Sequence, residues 1–399
     1  MVFFGRYAIH ESWLVLFEML AVWGLAGLWR DGARRDLWAA GLGLAGMILT
    51  KETWLIHAIA LVLGVSALAM LESVSPSAPW LRARQRWTWD DFAQVFAVGF
   101  ALIVFFYSGC LLDPGGLRGI ADSYFHWIGT GTSGESGHEK EWWYWLQLLA
   151  IYEWPALLGL AGGALLVLPQ ADRFARWLGI AGTGTLAAYS IVAYKTPWCL
   201  ISMLWPFAFV FALGVVRAAA LLDRWVVGVA AGVVCVCSLV QSAALNFRHY
   251  AGSVEQSDDA EPYVYVQTRR DVNLLLDPLR WLVARDPMAV HRRGHVIQPE
   301  HHPLLWLLGD FTNVTWDEAE GDPQPMDADW LLVDDTAVDR VEVQLRDEYF
   351  KTSVQLRGMA PDRSVLYLRA GTFRDFFAGR EPEFVPAEAA LSRELEPAK

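Results

Sequence analysis

Residues 138–155 read HEKEWWYWLQLLAIYEWP. His138, Glu139, Lys140 and Glu141 run directly into Trp142, Trp143, Tyr144 and Trp145, and these into an apolar run. Trp and Tyr favour the boundary between lipid headgroups and hydrocarbon, where the ring is buried and its polar edge stays wet. This order of residues is that of a chain passing from water into a membrane. Taken alone, WWYW reads as an aromatic belt. A belt does not account for the charged cluster in front of it.

Working outward, the rest of the first 249 residues has the same texture. The chain is 54% hydrophobic with 21 Trp, and its apolar residues concentrate there in runs of about 20, the length that crosses a bilayer core. Eight membrane helices are predicted, over 8–28, 37–50, 53–71, 92–112, 143–168, 177–194, 197–221 and 225–246. Alternate loops carry Arg30, Arg34 and Arg35; Arg82, Arg84 and Arg86; Arg173 and Arg176; and Arg217 and Arg224. The positive-inside rule puts those loops in the cytoplasm. The other loops, GRYAIHE (5–11), TKET (50–53), HEKEWWYW (138–145) and AYKTPW (193–198), then share the outer side.

After residue 250 charge becomes frequent, and most of the net charge of −12 lies there. Short apolar runs alternate with turn residues, which predicts a soluble α/β domain over 250–379 and a disordered acidic tail over 380–399, following a transmembrane domain over 1–249. Strands are expected at 262–268, 295–298, 313–316, 329–335, 351–358 and 364–370, and helices at 271–285, 302–309 and 338–349. The acidic balance argues against nucleic acid as a partner. The cysteines Cys110, Cys199, Cys235 and Cys237 sit in or beside apolar runs and read as small hydrophobes.

The outer loops hold the candidate site. Arg6, Lys51, Lys140 and Lys195 lie beside aromatic or acidic residues at the water-lipid boundary, where a cation can hold a lipid phosphate and a ring can stack on a sugar. Glu11, Glu52, His138, Tyr144, Glu153 and Tyr194 are the groups able to bind hydroxyls or orient those cations. Glu18 and Glu153 lie within membrane helices, where an ionisable residue is costly enough to suggest function; Glu153 precedes Trp154-Pro155, a place for a kink. Lys51 and Glu52 split one long apolar run without the Gly, Asn or Pro of an ordinary tip. The segment 113–137 is glycine-rich and reads as a mobile cover or a linker. His126, His138, Glu135 and Glu139 match no compact metal pattern, so no metal ligand is assigned, while a divalent ion stays open.

GRYAIHESWLVLF, LTKET, HEKEWWYWLQLLAIYEWP and YKTPWCLI, in this order, resemble the C-type (GT-C) membrane glycosyltransferases related to dolichyl-phosphate-mannose-protein mannosyltransferases. They are most similar to the branch described as flippase-activity-associated proteins. The resemblance implies a GT-C-like helical domain in the cytoplasmic membrane with the α/β domain outside the cell. It also implies transfer of a hexose from a polyprenyl-phosphate-linked donor to a glycan or protein acceptor. Lys51 and Lys195 are the first choices for the donor phosphate. The family's catalytic acid stands in a first external loop that precedes the helix at residue 8 here, so the resemblance implies either an N-terminally shortened chain or a misassigned start, and the catalytic residue is unknown. The alternative is a non-catalytic accessory component for flipping or transport of lipid-linked sugars.

Overall fold

The computed structural model describes residues 9–77, 86–133, 138–163, 166, 169, 171–247, 262–263, 268–321, 327–357 and 363–386. The chain divides into two compact units, Met1–Arg248 and His249–Lys399, one residue from the predicted boundary.

The first unit is helical: α1 (His10–Arg30), α2 (Arg34–Thr50), α3 (Trp54–Val74), α4 (Trp89–Tyr107), α5 (Gly116–Ser133), α6 (Tyr144–Tyr152), α7 (Trp154–Gly162), α8 (Arg173–Ile191), α9 (Leu200–Leu221, entered through a 3-10 turn at Pro197–Cys199) and α10 (Arg224–Phe247). Among the described residues, five stretches are long and apolar enough to cross a membrane: α1, α3, α4, the turn with α9 (Pro197–Leu221), and α10. These are the marks of an integral membrane protein. Large apolar side chains on α10 such as Val229, Val233, Val236 and Val240 are exposed, which suits a helix facing lipid.

Two expectations change. The helix predicted over 143–168 is two nine-residue helices. Glu153 between them has φ −124° and ψ 56°; Pro155, in the first turn of the second helix, has no N–H to donate to Ile151 O, which takes Gln241 Nε2 instead, so one continuous helical ladder cannot form there. The segment read as a cover or linker, 113–137, is instead helical over Gly116–Ser133. Its Leu117, Phe125 and Ile128 are exposed, and Trp54 Nε1 donates to Tyr124 Oη, so α5 is held at the α2–α3 turn.

Small residues set the tightest helix contact. A Cβ on Gly24 would stand 2.2 Å from Ala40 N, and one on Gly43 2.4 Å from Ala21 N, so α1 and α2 touch backbone to backbone. Without a hydrophobic drive between helices in lipid, such close packing is what holds a pair together. At the end of the unit away from Lys51, Arg34 pairs with Asp91 at 2.8 Å and Arg173 with Glu72. The fully buried Arg176 reaches Leu166 O at 2.7 Å and Ser75 Oγ at 2.9 Å.

The second unit is built on a five-stranded mixed sheet, β1 (Gly294–Ile297), β2 (Val314–Asp317), β3 (Trp330–Asp334), β4 (Tyr349–Gln355) and β5 (Arg363–Arg369), in the order β2-β1-β3-β5-β4. β1 is parallel to β2 and β3, while β5 is antiparallel to β3 and β4. Every residue of β1 and β3 is buried, as central strands covered on both faces require. Leu275, Leu276 and Leu279 of α11 (Val272–Arg285) fill one face, and Val341 of α13 (Val338–Glu342) the other. Between them in sequence, α12 (Leu304–Leu307) joins β1 to β2.

Two sequence boundaries shift here, and a third reading falls largely outside the described residues. The helix expected over 338–349 ends at Glu342, because Tyr349 and Phe350 are already buried in β4. Of the strand expected over 262–268, residues 264–267 lie outside the described residues, and Thr268 bridges Arg357. The assigned disordered tail begins too early: Phe384 exchanges backbone hydrogen bonds with Tyr349 at 3.0 Å each way. Residues 387–399 lie outside the described set.

The α1–α2 contact yields a direct expectation. Gly43→Leu should destabilise the helical unit by about 1–3 kcal/mol through overpacking, lowering the thermal midpoint in detergent. Gly214→Leu, where a Cβ meets nothing within 4 Å, should leave it unchanged.

Candidate functional site

The helix ends bring three of the four polar motifs together. α1 begins at His10 and places Glu11 in its first turn, where the helix dipole favours a carboxylate. α2 ends at Thr50, whose hydroxyl donates back to Gly46 O at 2.6 Å. Lys51 then turns to extended backbone (φ −164°, ψ 144°), and a tight turn returns the chain into α3, with Trp54 N donating to Lys51 O at 3.1 Å. This turn projects the Lys51 ammonium onto the Glu11 carboxylate.

The third arm comes from AYKTPW. Pro197 opens the 3-10 turn that leads into α9, as its fixed φ favours. Cys199 on that turn lies 3.7 Å from Lys51 Nζ, 3.4 Å from Glu11 Oε1 and 3.3 Å from Thr196 Oγ1. The Glu11 side chain is 3% exposed and that of Lys51 is 19% exposed, so Lys51 is the more open residue of the pair. Burial opposes the charge on Lys51, but Cys199 and Glu11 beside it outweigh this and hold its pKa above the ordinary lysine value. Burial pushes the Tyr194 hydroxyl up, with Cys199 adding to it, and Tyr194 lies within electrostatic reach of Lys51.

The HEKE segment joins through a short two-stranded ribbon. Glu139 bridges Tyr194, Lys140 N donates to Ala193 O at 3.0 Å, and Lys195 N donates to His138 O at 3.0 Å. His138 and Tyr194 meet edge to face at 5.2 Å. Lys195 is buried, and its ammonium donates to Lys140 O at 3.0 Å and to Val192 O. Burial pushes the Lys195 ammonium below its ordinary value. Lys195 thus straps the ribbon to the end of α8.

The aromatic run splits in role. Trp142 and Trp143 are exposed, as a belt would be. Trp145 is fully buried and donates to Tyr189 O at 3.0 Å, locking α6 against α8. Tyr144 packs on Trp145 with ring centroids 5.1 Å apart. Of the other candidates, Glu52 lies half-buried in the Lys51 turn, and Glu153 lies half-buried at the α6–α7 break, about 13 Å along α6 from the ribbon. Arg6 lies outside the described residues. No three His, Cys, Asp or Glu side chains among the described residues converge as a metal site.

Deeper in the unit is a second cluster that sequence reasoning reached only through Glu18. Seven residues from Glu11, and so on the same stripe of α1, Glu18 receives a hydrogen bond from Trp205 Nε1 at 2.8 Å and pairs with His57 Nδ1 at 2.9 Å. His57 Nε2 lies 3.3 Å from Tyr189 Oη. Four helices, α1, α3, α8 and α9, each contribute one group. His57 and Tyr189 were missed, although the same cost of an ionisable group within an apolar helix that marks Glu18 also marks His57. Cys199, read as a small hydrophobe, was missed as a neighbour of Lys51 because nothing local shows what its turn packs against.

No family model matches the sequence, and no curated protein matches it.

The buried Glu18–His57 pair makes a specific stability expectation. Glu18→Gln keeps an acceptor for Trp205 and a donor for His57, and should cost less than about 1 kcal/mol. His57→Leu strands the carboxyl and should cost about 3 kcal/mol, as removal of one partner of a buried pair does. Thermal unfolding of both variants in the same detergent checks the order.

Proposed function

We propose that this chain is a membrane protein of the glycosyl-transfer class that binds a polyprenyl-phosphate-linked sugar at the end of the helical unit marked by Lys51. The observation that carries the reading is the Lys51 side chain, paired with Glu11 beside Cys199 and partly exposed. A fixed cation in a low-dielectric setting is suited to a phosphate, whose leaving charge it stabilises. The exposed Trp142 and Trp143 and the half-buried Tyr194 and His138 offer rings at the same end for a sugar or a prenyl chain.

In this reading the chain is GT-C-like and belongs to the branch resembling flippase-activity-associated proteins. Its eight membrane passages include α2, the α6–α7 pair and α8 beside the five long apolar helices. The end with Arg34, Arg173 and Arg176 faces the cytoplasm. The Lys51 end and the α/β unit face outward across the cytoplasmic membrane, where a glycan or protein acceptor would meet the donor.

A second reading, a non-catalytic accessory that recognises a lipid-linked sugar, is favoured by the state of the carboxylates. Glu11 is engaged by Lys51 and Cys199, and Glu18 by His57 and Trp205. Neither is placed as a general base in the form observed. Both readings share the phosphate site and differ only in turnover.

The experiment measures binding of a farnesyl-phosphate-linked mannose to the detergent-solubilised chain, followed by transfer of labelled mannose. Lys51→Ala should weaken binding by about 1.5–3 kcal/mol, the worth of a hydrogen bond to a charged group. Arg34→Ala, at the other end, should not alter it. Equal losses in both variants would mean general destabilisation and would remove the phosphate site. Binding without transfer to any acceptor would select the accessory reading.

A further inference from the structure

The helix α5 has no part in the Lys51–Glu11 pair, and its surface has a pattern of its own. It has 18 residues and is not one of the five stretches among the described residues that are long and apolar enough to cross a membrane. Its side chains nevertheless sort by face. Leu117, Ile120, Ala121, Tyr124, Phe125 and Ile128 stand at i, i+3, i+4, i+7, i+8 and i+11, which makes one apolar stripe, while Arg118, Asp122 and His126 lie opposite. The stripe is wider than the contact that α5 makes with the other helices. Ile120, Tyr124 and Trp127 along one edge are partly buried, whereas Phe125 and Ile128 are 75% and 53% exposed, with Leu117 and Ala121 exposed beside them. A contiguous apolar patch bordered by charge marks an interaction surface.

Two contacts fix the depth and direction of α5. At its start, a Cβ on Gly116 would stand 2.1 Å from Tyr107 O, so α5 begins in backbone contact with the last residue of α4. Further along, Tyr124 accepts a hydrogen bond from Trp54 Nε1, and Trp54 is the first residue of α3. Both α3 and α4 are long and apolar enough to span, so each contact marks the place where a spanning helix meets the membrane boundary. The boundary is the same one. Tyr107 Oη donates to Ile48 O at 3.3 Å near the end of α2, and the α2–α3 turn leads on to Trp54. Gly116 and Tyr124 are about 12 Å apart along the helix axis, and a helix with two such points at one depth runs along the boundary.

We propose that α5 lies in the plane of the membrane interface and inserts Leu117, Phe125 and Ile128 among the lipid acyl chains below the headgroups, with Arg118 and Asp122 turned to water. Lipid is the partner because the stripe continues the lipid-facing surface of the spanning helices: Phe106 near the end of α4, and Leu111 and Leu112 between α4 and α5, are exposed apolar side chains on the path into it. The insertion is apolar in origin. Arg118 and Asp122 offset each other, and α5 has no other Lys, Arg, Asp or Glu, so anionic lipid adds nothing, in contrast to a basic interfacial helix. Through Tyr124 and Trp54, α5 then sets the height of the α2–α3 turn in the bilayer. This placement holds or fails independently of any glycosyl-transfer activity.

Spin labels test it in the full chain, with Cys110, Cys199, Cys235 and Cys237 replaced by Ala and the protein reconstituted in phosphatidylcholine vesicles. Collision of the label with oxygen, which concentrates in hydrocarbon, is compared with collision with a water-soluble nickel chelate at Phe125→Cys and Asp122→Cys. Val233→Cys on α10 gives the lipid reference and Asp277→Cys on α11 the water reference. The oxygen-to-nickel ratio at Phe125→Cys should be several-fold above that at Asp122→Cys and close to the lipid reference, and added phosphatidylglycerol should leave both ratios unchanged. Both positions at the water reference would overturn the proposal, and so would both at the lipid reference, which would make α5 a spanning segment. Weak collision with either reagent at Phe125→Cys would mean that protein covers the stripe, and would overturn it as well. A dependence of the ratios on phosphatidylglycerol would overturn the apolar origin of the insertion. If the cysteine-free chain fails to fold, the wild-type chain is photolysed in vesicles containing a phospholipid with a diazirine in its acyl chain. Adducts within residues 117–128 as well as on α10 are expected; adducts on α10 with none in 117–128 would overturn the proposal.

Discussion

The cost of an uncompensated charge among apolar helices is the constraint on which the helical unit depends. A buried ion left without a partner costs several kcal/mol, so each ionisable group that enters must bring its complement. Glu11 and Lys51 come from residues 40 apart in sequence and fix the start of α1 to the α2–α3 turn. Glu18 and His57 repeat the device two turns deeper, with Trp205 and Tyr189 drawing α8 and α9 into the same set. Arg176 does so at the opposite end, taking carbonyl and hydroxyl partners. Between these polar layers, the helices close through Gly24 and Gly43, with no polar group needed.

The two lysines of this end have different partners. Lys195 and Lys51 have the same side chain and border the same end of the unit, yet one is held on backbone carbonyls and the other in an ion pair with Glu11. The ribbon that Lys195 ties down places the HEKE segment beside Tyr194, and Trp145 anchors its far side in the core. The polar cluster and the aromatic cluster of residues 138–145 are adjacent because one forms the ribbon with residues 193–195 and the other, through Trp145, anchors it on α8.

Much of the fold was legible because apolar period and length report it directly. The long runs at α1, α3, α4, α9 and α10 need no tertiary information, and the strands β1, β3 and β5 stand out as apolar runs between turn residues. The α5 helix was not legible, because Gly116, Gly119, Gly129 and Gly131 lower helix propensity and the contact that orders it, Tyr124 on Trp54, is long-range. The break at Glu153 was half legible: Pro155 announces a kink, while a full division into two short helices depends on packing. At the site, Lys51 and Glu11 were legible as polar residues against the positive-inside trend. That Lys195 is a strap and Cys199 a neighbour of the pair follows from which helix ends meet, and no local pattern encodes it.

The central claim is that the Lys51–Glu11 pair organises this end of the unit, and a double-mutant cycle on stability tests it most directly. Thermal unfolding of Glu11→Gln, Lys51→Met and the double variant, each in the full chain and the same detergent, gives the coupling between the two side chains. The account predicts that the double variant loses less than the sum of the single losses, by more than about 1 kcal/mol. Strict additivity would mean that the two side chains do not hold each other, and would contradict it.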